Sequence, residues 1–165
     1  LIMSGKGIPK NKKTDAFAYL FDLFPTLCQY VGVPQPTGID GKSLLPLIQG
    51  KAQSVRPFIM NAYMDHQRSV RDARYKLIRY PTVDHTLLFD LQNDPYELAN
   101  LADKPEHAQR VQTLLAQLAV EQKRYGDTAP LTAANIMPLT WDYRTIERKP
   151  DQWQPQYLID RYFKE

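Results

Sequence analysis

The sequence predicts an α+β fold, in which a four-stranded antiparallel sheet is packed by a long C-terminal helix. Four short stretches between residues 58 and 91 are rich in aliphatic and aromatic side chains, and links of hairpin length separate them. An amphipathic stretch follows over residues 103–125. Hydrophobic residues make up 43% of the 165-residue chain and charged residues 24%, so the chain can build a core.

The strands are predicted at residues 58–64, 67–71, 74–80 and 86–91, with a two-residue turn at 72–73. Alternation along the third strand places Tyr75, Leu77 and Arg79 on one face and Lys76, Ile78 and Tyr80 on the other. A sheet of this kind needs a helix against one face to bury its apolar side chains.

The long helix is predicted to begin at Asp103, which forms a D-x-x-E capping pattern with Glu106. Pro105 lies in its first turn, and Gly126 is predicted to end it. Its apolar residues recur at steps of three and four and are Ala108, Val111, Leu115, Leu118, Gln122 and Tyr125, with Leu114 widening the stripe.

The first fifty residues are predicted to contain two strands, the end of a buried one at residues 1–3 and a second at residues 15–20. An opening of that kind predicts that the chain was cut from a longer protein. A helix is predicted from an N-cap at Asp22 to Gly32, with an apolar stripe of Leu23, Leu27 and Tyr30 or Val31.

Two further segments complete the chain. Ser43 is predicted to cap a short helix that ends at Gly50. Residues 128–165 contain four prolines and both tryptophans, Trp141 and Trp153. This segment is predicted to be an extended tail that wraps over a partner surface and ends in a short helix, with the tryptophans as packing anchors.

Several classes of function find no support in the residues. The net charge of +3 comes without a long basic run, so no nucleic-acid partner is predicted, and no apolar run approaches the ~20 residues that span a bilayer. The glycines match neither a phosphate-binding nor a dinucleotide-binding loop. The histidines lack metal-ligand spacing, and Cys28 is predicted to be a small core residue. Hence no catalytic and no metal-binding residue is predicted in this chain.

The stretch from His66 to Arg71 is the one place where polar groups able to hold an anion are concentrated. His66, Gln67 and Arg68 are therefore the candidates for the rim of a substrate site. Alternation places Arg68 and Arg71 on opposite faces of the strand. The alternative is structural, with Arg71 paired to Asp72 or Asp90 or bound to backbone carbonyls.

Five segments resemble, in order and spacing, the C-terminal end of type I sulfatases. They are LIMSGKGIPKNKKTD, FDLFPTLCQYVGVPQP, GIDGKSLLPLIQG, SVRDARYKLIRY and LFDLQNDPYELANLAD, followed by a helix that ends in YGDTAP. The chain is similar here to arylsulfatase-like and iduronate-sulfatase-like bacterial members of the alkaline phosphatase superfamily. The resemblance extends over residues 1–130.

The resemblance implies three parts. Residues 1–50 would be the end of an α/β core domain, residues 51–127 the C-terminal subdomain, and residues 128–165 the tail. In that family the N-terminal core carries a formylglycine nucleophile together with calcium or magnesium. Cys28 is followed by Gln29-Tyr30-Val31 and does not match the nucleophile motif, so no catalytic or metal residue is carried over to this chain.

The resemblance therefore implies a sulfate ester hydrolase of which this chain is the C-terminal part, inactive alone because nucleophile and metal lie elsewhere. The expected partners are the missing core domain and a sulfated small molecule or sugar, and the isolated chain is expected to self-associate. A bacterial parent with a signal peptide would be periplasmic or secreted. Two alternatives stay open, a free-standing protein-interaction module and the end of a related phosphonate or phosphodiester hydrolase.

Overall fold

A computed structural model describes residues 1–140, 142–145, 147 and 149–163. Its sheet contains β1 (Ile59–Tyr63), β2 (Gln67–Arg71), β3 (Tyr75–Tyr80) and β4 (His85–Asp90). The strands are antiparallel and lie in the order β1-β2-β3-β4. The predicted fold class is confirmed, and each strand lies within one residue of its predicted bounds at both ends.

Four α-helices accompany the sheet in the described part of the chain: α1 (Leu23–Val31), α2 (Leu45–Ile48), α3 (Ala108–Arg124) and α4 (Gln156–Tyr162). Helix α3 packs against one face of the sheet, called here the helix face. The core between them takes one residue from each strand and two from α3, namely Met60, Val70, Leu77, Leu88, Leu114 and Leu118. No helix among the described residues is long and apolar enough to cross a bilayer.

Helix α3 begins later than predicted. The chain enters it through a 3-10 turn at Pro105–His107, and the cap of that turn is Lys104. Asp103 stands one position too early, so its side chain makes no capping hydrogen bond and the predicted D-x-x-E cap is wrong. The predicted end is confirmed, because Gly126 follows the last turn with φ +67°.

Neither N-terminal strand is present. Residues 1–3 and 15–19 form no sheet, since no strand of the described chain lies beside them to share backbone hydrogen bonds. Leu1 and Ile2 are 75% and 96% exposed. Residues 15–19 instead run along the sheet and lead into a 3-10 turn at Leu20–Asp22.

Helix α1 is predicted correctly in extent but not in orientation. It ends at Gly32, which has φ +74°, as expected. Its buried residues are Pro25, Thr26 and Cys28, so Cys28 is a core residue as predicted. The predicted apolar stripe instead faces outward: Leu27 and Val31 are 55% and 65% exposed, and Tyr30 is 42% exposed although its hydroxyl donates to the Lys6 carbonyl.

The predicted cap of the short helix α2 is wrong by one position: its N-cap is Leu44, although the Ser43 hydroxyl accepts a hydrogen bond from the Leu45 N–H at 3.2 Å. Helix α4 confirms the predicted helix at the end of the tail. The start of the tail returns to the sheet, where the Leu131 carbonyl accepts from Arg79 Nε at 2.8 Å. Trp153 is 82% exposed, so it is not a packing anchor within the described part of the chain, while Trp141 lies outside the described residues.

Candidate functional site

The three rim candidates lie where β1 turns into β2. The turn is tight, with Met64 at φ +44° and the His66 N–H donating to the Tyr63 carbonyl at 3.1 Å. The rings of Tyr63 and His66 lie 6.2 Å apart. His66 is exposed and Gln67 half-buried, so both side chains can reach a molecule placed at this tip.

Arg68 is placed differently, being only 5% exposed on the helix face. Its Nε and Nη2 donate to the carboxylate of Asp127 at 2.6 and 3.0 Å. Its Nη1 donates to the carbonyls of Met64 at 2.5 Å and Gln67 at 2.9 Å. Four of the five guanidinium N–H groups are thus engaged, and the two on Nη1 hold the turn that presents His66 and Gln67.

Asp127 follows the end of α3 and ties the hairpin to the helix. It also accepts from Gln122 Nε2 at 2.9 Å and from the Ala129 N–H at 3.2 Å. The hydrogen bonds from Arg68 lower the pKa of Asp127 to about 2. The only trace of this partner in the sequence is the aspartate of the YGDTAP segment, 59 residues after Arg68.

We expect the Arg68–Asp127 ion pair to make the free energy of unfolding of the chain depend on pH in the acidic range. Since the pKa of Asp127 falls from about 3.9 in an unfolded chain to about 2 here, its contribution is present above about pH 4 and is lost as the pH falls toward 2. Between pH 5 and pH 2, the free energy of unfolding of the Asp127→Asn variant should fall by on the order of 2 kcal/mol less than that of the parent. Urea unfolding at the two pH values measures the difference. Asp103→Asn is the control, because Asp103 is exposed and makes no side-chain hydrogen bond within the described chain. An equal slope for both variants would contradict the assignment.

Arg71 does not form the predicted carboxylate pair. Asp90 is bound by Arg74 instead, at 3.0 and 2.6 Å, which lowers the pKa of Asp90 to about 2. The register explains the difference, because Asp90 is directly opposite Tyr75 on the helix face, whereas Arg71 points to the other face. Its guanidinium lies 5.4 Å from the centre of the Phe17 ring.

The remaining acidic residues of this region form hydrogen bonds in and around the turn after β4. Asp94 accepts a hydrogen bond from the Ala99 N–H at 2.9 Å, and Glu97 binds Lys76 Nζ with both oxygens. Within the described ranges, no group of three or more His, Cys, Asp or Glu side chains could hold a metal ion. These described residues therefore do not fit the calcium or magnesium of the resembled family.

A four-stranded antiparallel sheet, one long packing helix and a preceding helix define the C-terminal portion of a sulfatase of the alkaline phosphatase superfamily. The chain belongs to the family described as N-sulphoglucosamine sulphohydrolase, C-terminal, which it matches over residues 1–124. The predicted resemblance is thereby confirmed.

Three similar proteins are longer than this chain and match it over part of their own length. The N-acetylglucosamine-6-O-sulfatase of Bacteroides thetaiotaomicron is 27% identical over 90% of this chain and 29% of its own length. A structure in complex with its substrate D-glucosamine-2-N,6-O-disulfate is 25% identical, with a TM-score of 0.57 over 67% of this chain and 25% of that one. The phosphonate monoester hydrolase of Silicibacter pomeroyi is 26% identical, with a TM-score of 0.54 over 66% of this chain and 25% of its own. The chain therefore spans less than a third of each of these proteins.

Proposed function

We propose that this chain is the C-terminal part of an enzyme that hydrolyses a sulfate ester of a sugar, and that it forms one side of the substrate cleft. The nucleophile and a calcium or magnesium ion belong, in this proposal, to the remainder of the enzyme, and the chain alone is inactive. Membership of the sulfatase family and the sulfated sugars named for two similar proteins support it. A periplasmic or secreted location of the parent is part of the same proposal.

The observation that carries the proposal is the geometry of the hairpin tip, the turn between β1 and β2. His66 and Gln67 are accessible on a turn that Arg68 fastens from behind to Asp127. A tight turn braced by charge-assisted hydrogen bonds keeps its side chains in place without a ligand, which reduces the entropy lost on binding. A neutral amide and an imidazole can bind sugar hydroxyls or a sulfate oxygen through hydrogen bonds.

The test is made in the full-length enzyme. His66→Ala and Gln67→Ala should each raise KM for sulfated sugars about tenfold and leave kcat nearly unchanged, because the side chains bind substrate away from the reacting sulfur. Gln112→Ala on the exposed side of α3 is the matched control and should change neither constant. Unchanged KM values for the two tip variants would remove the rim role.

An exposed apolar stripe on the outer side of α1 and of the 3-10 turn before it supports the proposal that another part of the enzyme packs there. Leu20, Phe24, Leu27 and Val31 are 53–82% exposed and follow one another at steps of four, three and four, so they form one apolar stripe. Such a stripe is typical of a surface that another part of a protein covers. In this proposal the core domain covers it.

We expect the isolated 165-residue chain to self-associate through this stripe. Analytical ultracentrifugation should show dimers or larger species that the double variant Phe24→Ser/Leu27→Ser converts largely to monomer. Leu98→Ser, at an 83% exposed position in the loop after β4, should leave the distribution unchanged. A monomeric parent chain would instead favour the free-standing interaction module.

The second candidate is the C-terminal part of a phosphonate monoester hydrolase, which the Silicibacter pomeroyi structure favours. The two candidates differ in the atom that is attacked, sulfur or phosphorus, and not in anything this chain supplies. Comparing kcat/KM of the full-length enzyme for an aryl sulfate and the matching aryl phosphonate separates them. A higher value for the phosphonate would make the second candidate the better one.

A further inference from the structure

A polar hollow of about 310 Å³ lies on the face of the sheet that points away from α3, called here the open face. Residues 17–19 form one wall of the hollow, and its floor comes from three strands. The floor residues are Ile59, Asn61, Ser69, Arg71 and Lys76. Asn61 is directly opposite Ser69, and Arg71 is directly opposite both Ile59 and Lys76, so the polar groups form one compact patch.

Hydrogen-bond donors in this patch lack partners in the described part of the chain. Ser69 is only 4% exposed, yet its hydroxyl makes no hydrogen bond there, and neither does the side-chain amide of Asn61. Arg71 contacts the Phe17 ring but forms no ion pair with a described carboxylate. Among the described residues the one buried side-chain polar atom without a partner is Arg56 Nε, so the Ser69 hydroxyl is open to the hollow, where a ligand or water can accept a hydrogen bond from it.

The charge of the patch selects the kind of ligand. The ammonium of Lys76 is neutralised by Glu97, whose two oxygens lie 2.9 and 2.7 Å away. Arg71 therefore leaves the hollow with a net charge of one positive unit. A single carboxylate or sulfate monoester balances that charge and can accept from the guanidinium and the Ser69 hydroxyl together.

The volume of the hollow favours a sugar ring over a lone acidic side chain, because 310 Å³ falls at the lower end of small-ligand pockets. Gln67 of the tip lies on the same open face as Ser69 and Arg71. Four residues of extended chain place Arg71 about 13 Å beyond Gln67. A single extended oligosaccharide can therefore reach from the tip to the hollow.

We propose that the hollow binds a sugar carrying one carboxylate or sulfate group, as a second acidic unit of an oligosaccharide whose sulfate ester lies beyond the tip. The proposal deepens the proposed function and rests on it. Arg71 and Ser69 hold the anionic group, Asn61 binds a neighbouring hydroxyl, and Phe17 covers the apolar side of the ring.

Direct binding to the 165-residue chain tests the site without catalysis. Glucuronate should cause saturable NMR shifts of the Asn61, Ser69 and Arg71 amides, and glucose should not. Arg71→Gln should weaken glucuronate binding about tenfold and Ser69→Ala severalfold. Arg110→Gln is the matched control, because Arg110 is also an exposed arginine lying over an aromatic ring, that of Tyr75, but belongs to α3.

The proposal is overturned if neither glucuronate nor glucose 6-sulfate causes a saturable shift, or if Arg71→Gln binds the acidic sugar as tightly as the parent does. Acetate that binds as tightly as glucuronate would also overturn it, since the hollow would then accept a lone carboxylate. Glucose 6-sulfate distinguishes a sulfate from a carboxylate as the preferred group, and binding of either one supports the site.

Kinetics of the full-length enzyme separate the failure of this inference from that of the proposed function. Arg71→Gln should raise KM only for sulfated oligosaccharides that carry a further acidic sugar. If sulfated sugars are hydrolysed but Arg71→Gln has the same KM for both kinds of substrate, the inference fails and the proposed function stands. If no sulfated sugar is hydrolysed, the proposed function fails, whereas glucuronate binding still reports on the hollow.

Discussion

Replacing Arg56 with methionine is expected to lower the free energy of unfolding of this chain by about 3–5 kcal/mol. Arg56 is 2% exposed, and its partner Asp22 is fully buried. Both terminal nitrogens of the guanidinium donate to the carboxylate, one of them at 2.6 Å. Removing the arginine leaves a buried negative charge without its counter-ion, which is far more costly than losing a surface pair.

Asp22 cannot readily escape this cost by taking up a proton. Burial by itself would raise the pKa of Asp22, but Arg56 and the backbone N–H groups of Lys42 and Tyr19, at 2.8 and 2.7 Å, hold the pKa below its ordinary value. The two amides remain when Arg56 is replaced and continue to favour the charged carboxylate. Asp22 occupies the predicted N-cap position of α1, but these contacts engage its carboxylate, so it makes no side-chain capping hydrogen bond to the helix.

Urea unfolding of the parent and Arg56→Met measures the effect. Arg144→Met is the control, because Arg144 also forms a two-point pair with Asp142 but is 77% exposed. That variant should change the free energy of unfolding by less than about 1 kcal/mol. Similar losses in both variants would show that burial of the Asp22–Arg56 pair is not what makes it important.

Leu118→Ala is expected to cost about 2–5 kcal/mol of the free energy of unfolding. Leu118 has no exposed surface and lies in the core between α3 and the sheet. Removing most of its side chain loses burial free energy and leaves a cavity that the rigid sheet cannot fill.

The matched control for Leu118→Ala is Val120→Ala, two residues along the same helix but 59% exposed. It should change the free energy of unfolding by no more than about 0.5 kcal/mol. Thermal and urea unfolding of both variants give the comparison. Equal effects would mean that α3 does not pack on the sheet through the side that carries Leu118.

The local sequence pattern was sufficient to predict the four strands and the long helix. Adjacent strands are joined by hairpin links, so each strand pairs with its neighbour in sequence, and alternation decides which residues face the core. The spacing of Leu114 and Leu118 similarly identifies the buried side of α3. The rim candidates were predicted as a cluster for the same reason, because His66, Gln67 and Arg68 are adjacent in sequence.

Local sequence pattern gave wrong predictions where burial or strand pairing depends on residues that are distant in the sequence. Leu27 and Val31 have the spacing of a buried stripe, yet burial depends on a surface to pack against, and the described chain provides none on that side. Residues 15–20 have strand composition, but a strand also requires a partner. Tyr19 instead contacts the sheet through its hydroxyl, which accepts from the Met60 N–H at 2.6 Å and donates to the Met60 carbonyl at 2.8 Å.

The sequence by itself determined the α+β class, the order of the strands, the buried side of α3 and the family. Only the tertiary structure decided what the charged groups do. Asp22 and Arg56 are 34 residues apart, and Arg68 and Asp127 are 59 apart. No local period links such partners, because an ion pair depends on where the fold brings two side chains. For the same reason Arg68 braces the tip, whereas Arg71, three residues further on, faces the hollow with no carboxylate partner among the described residues.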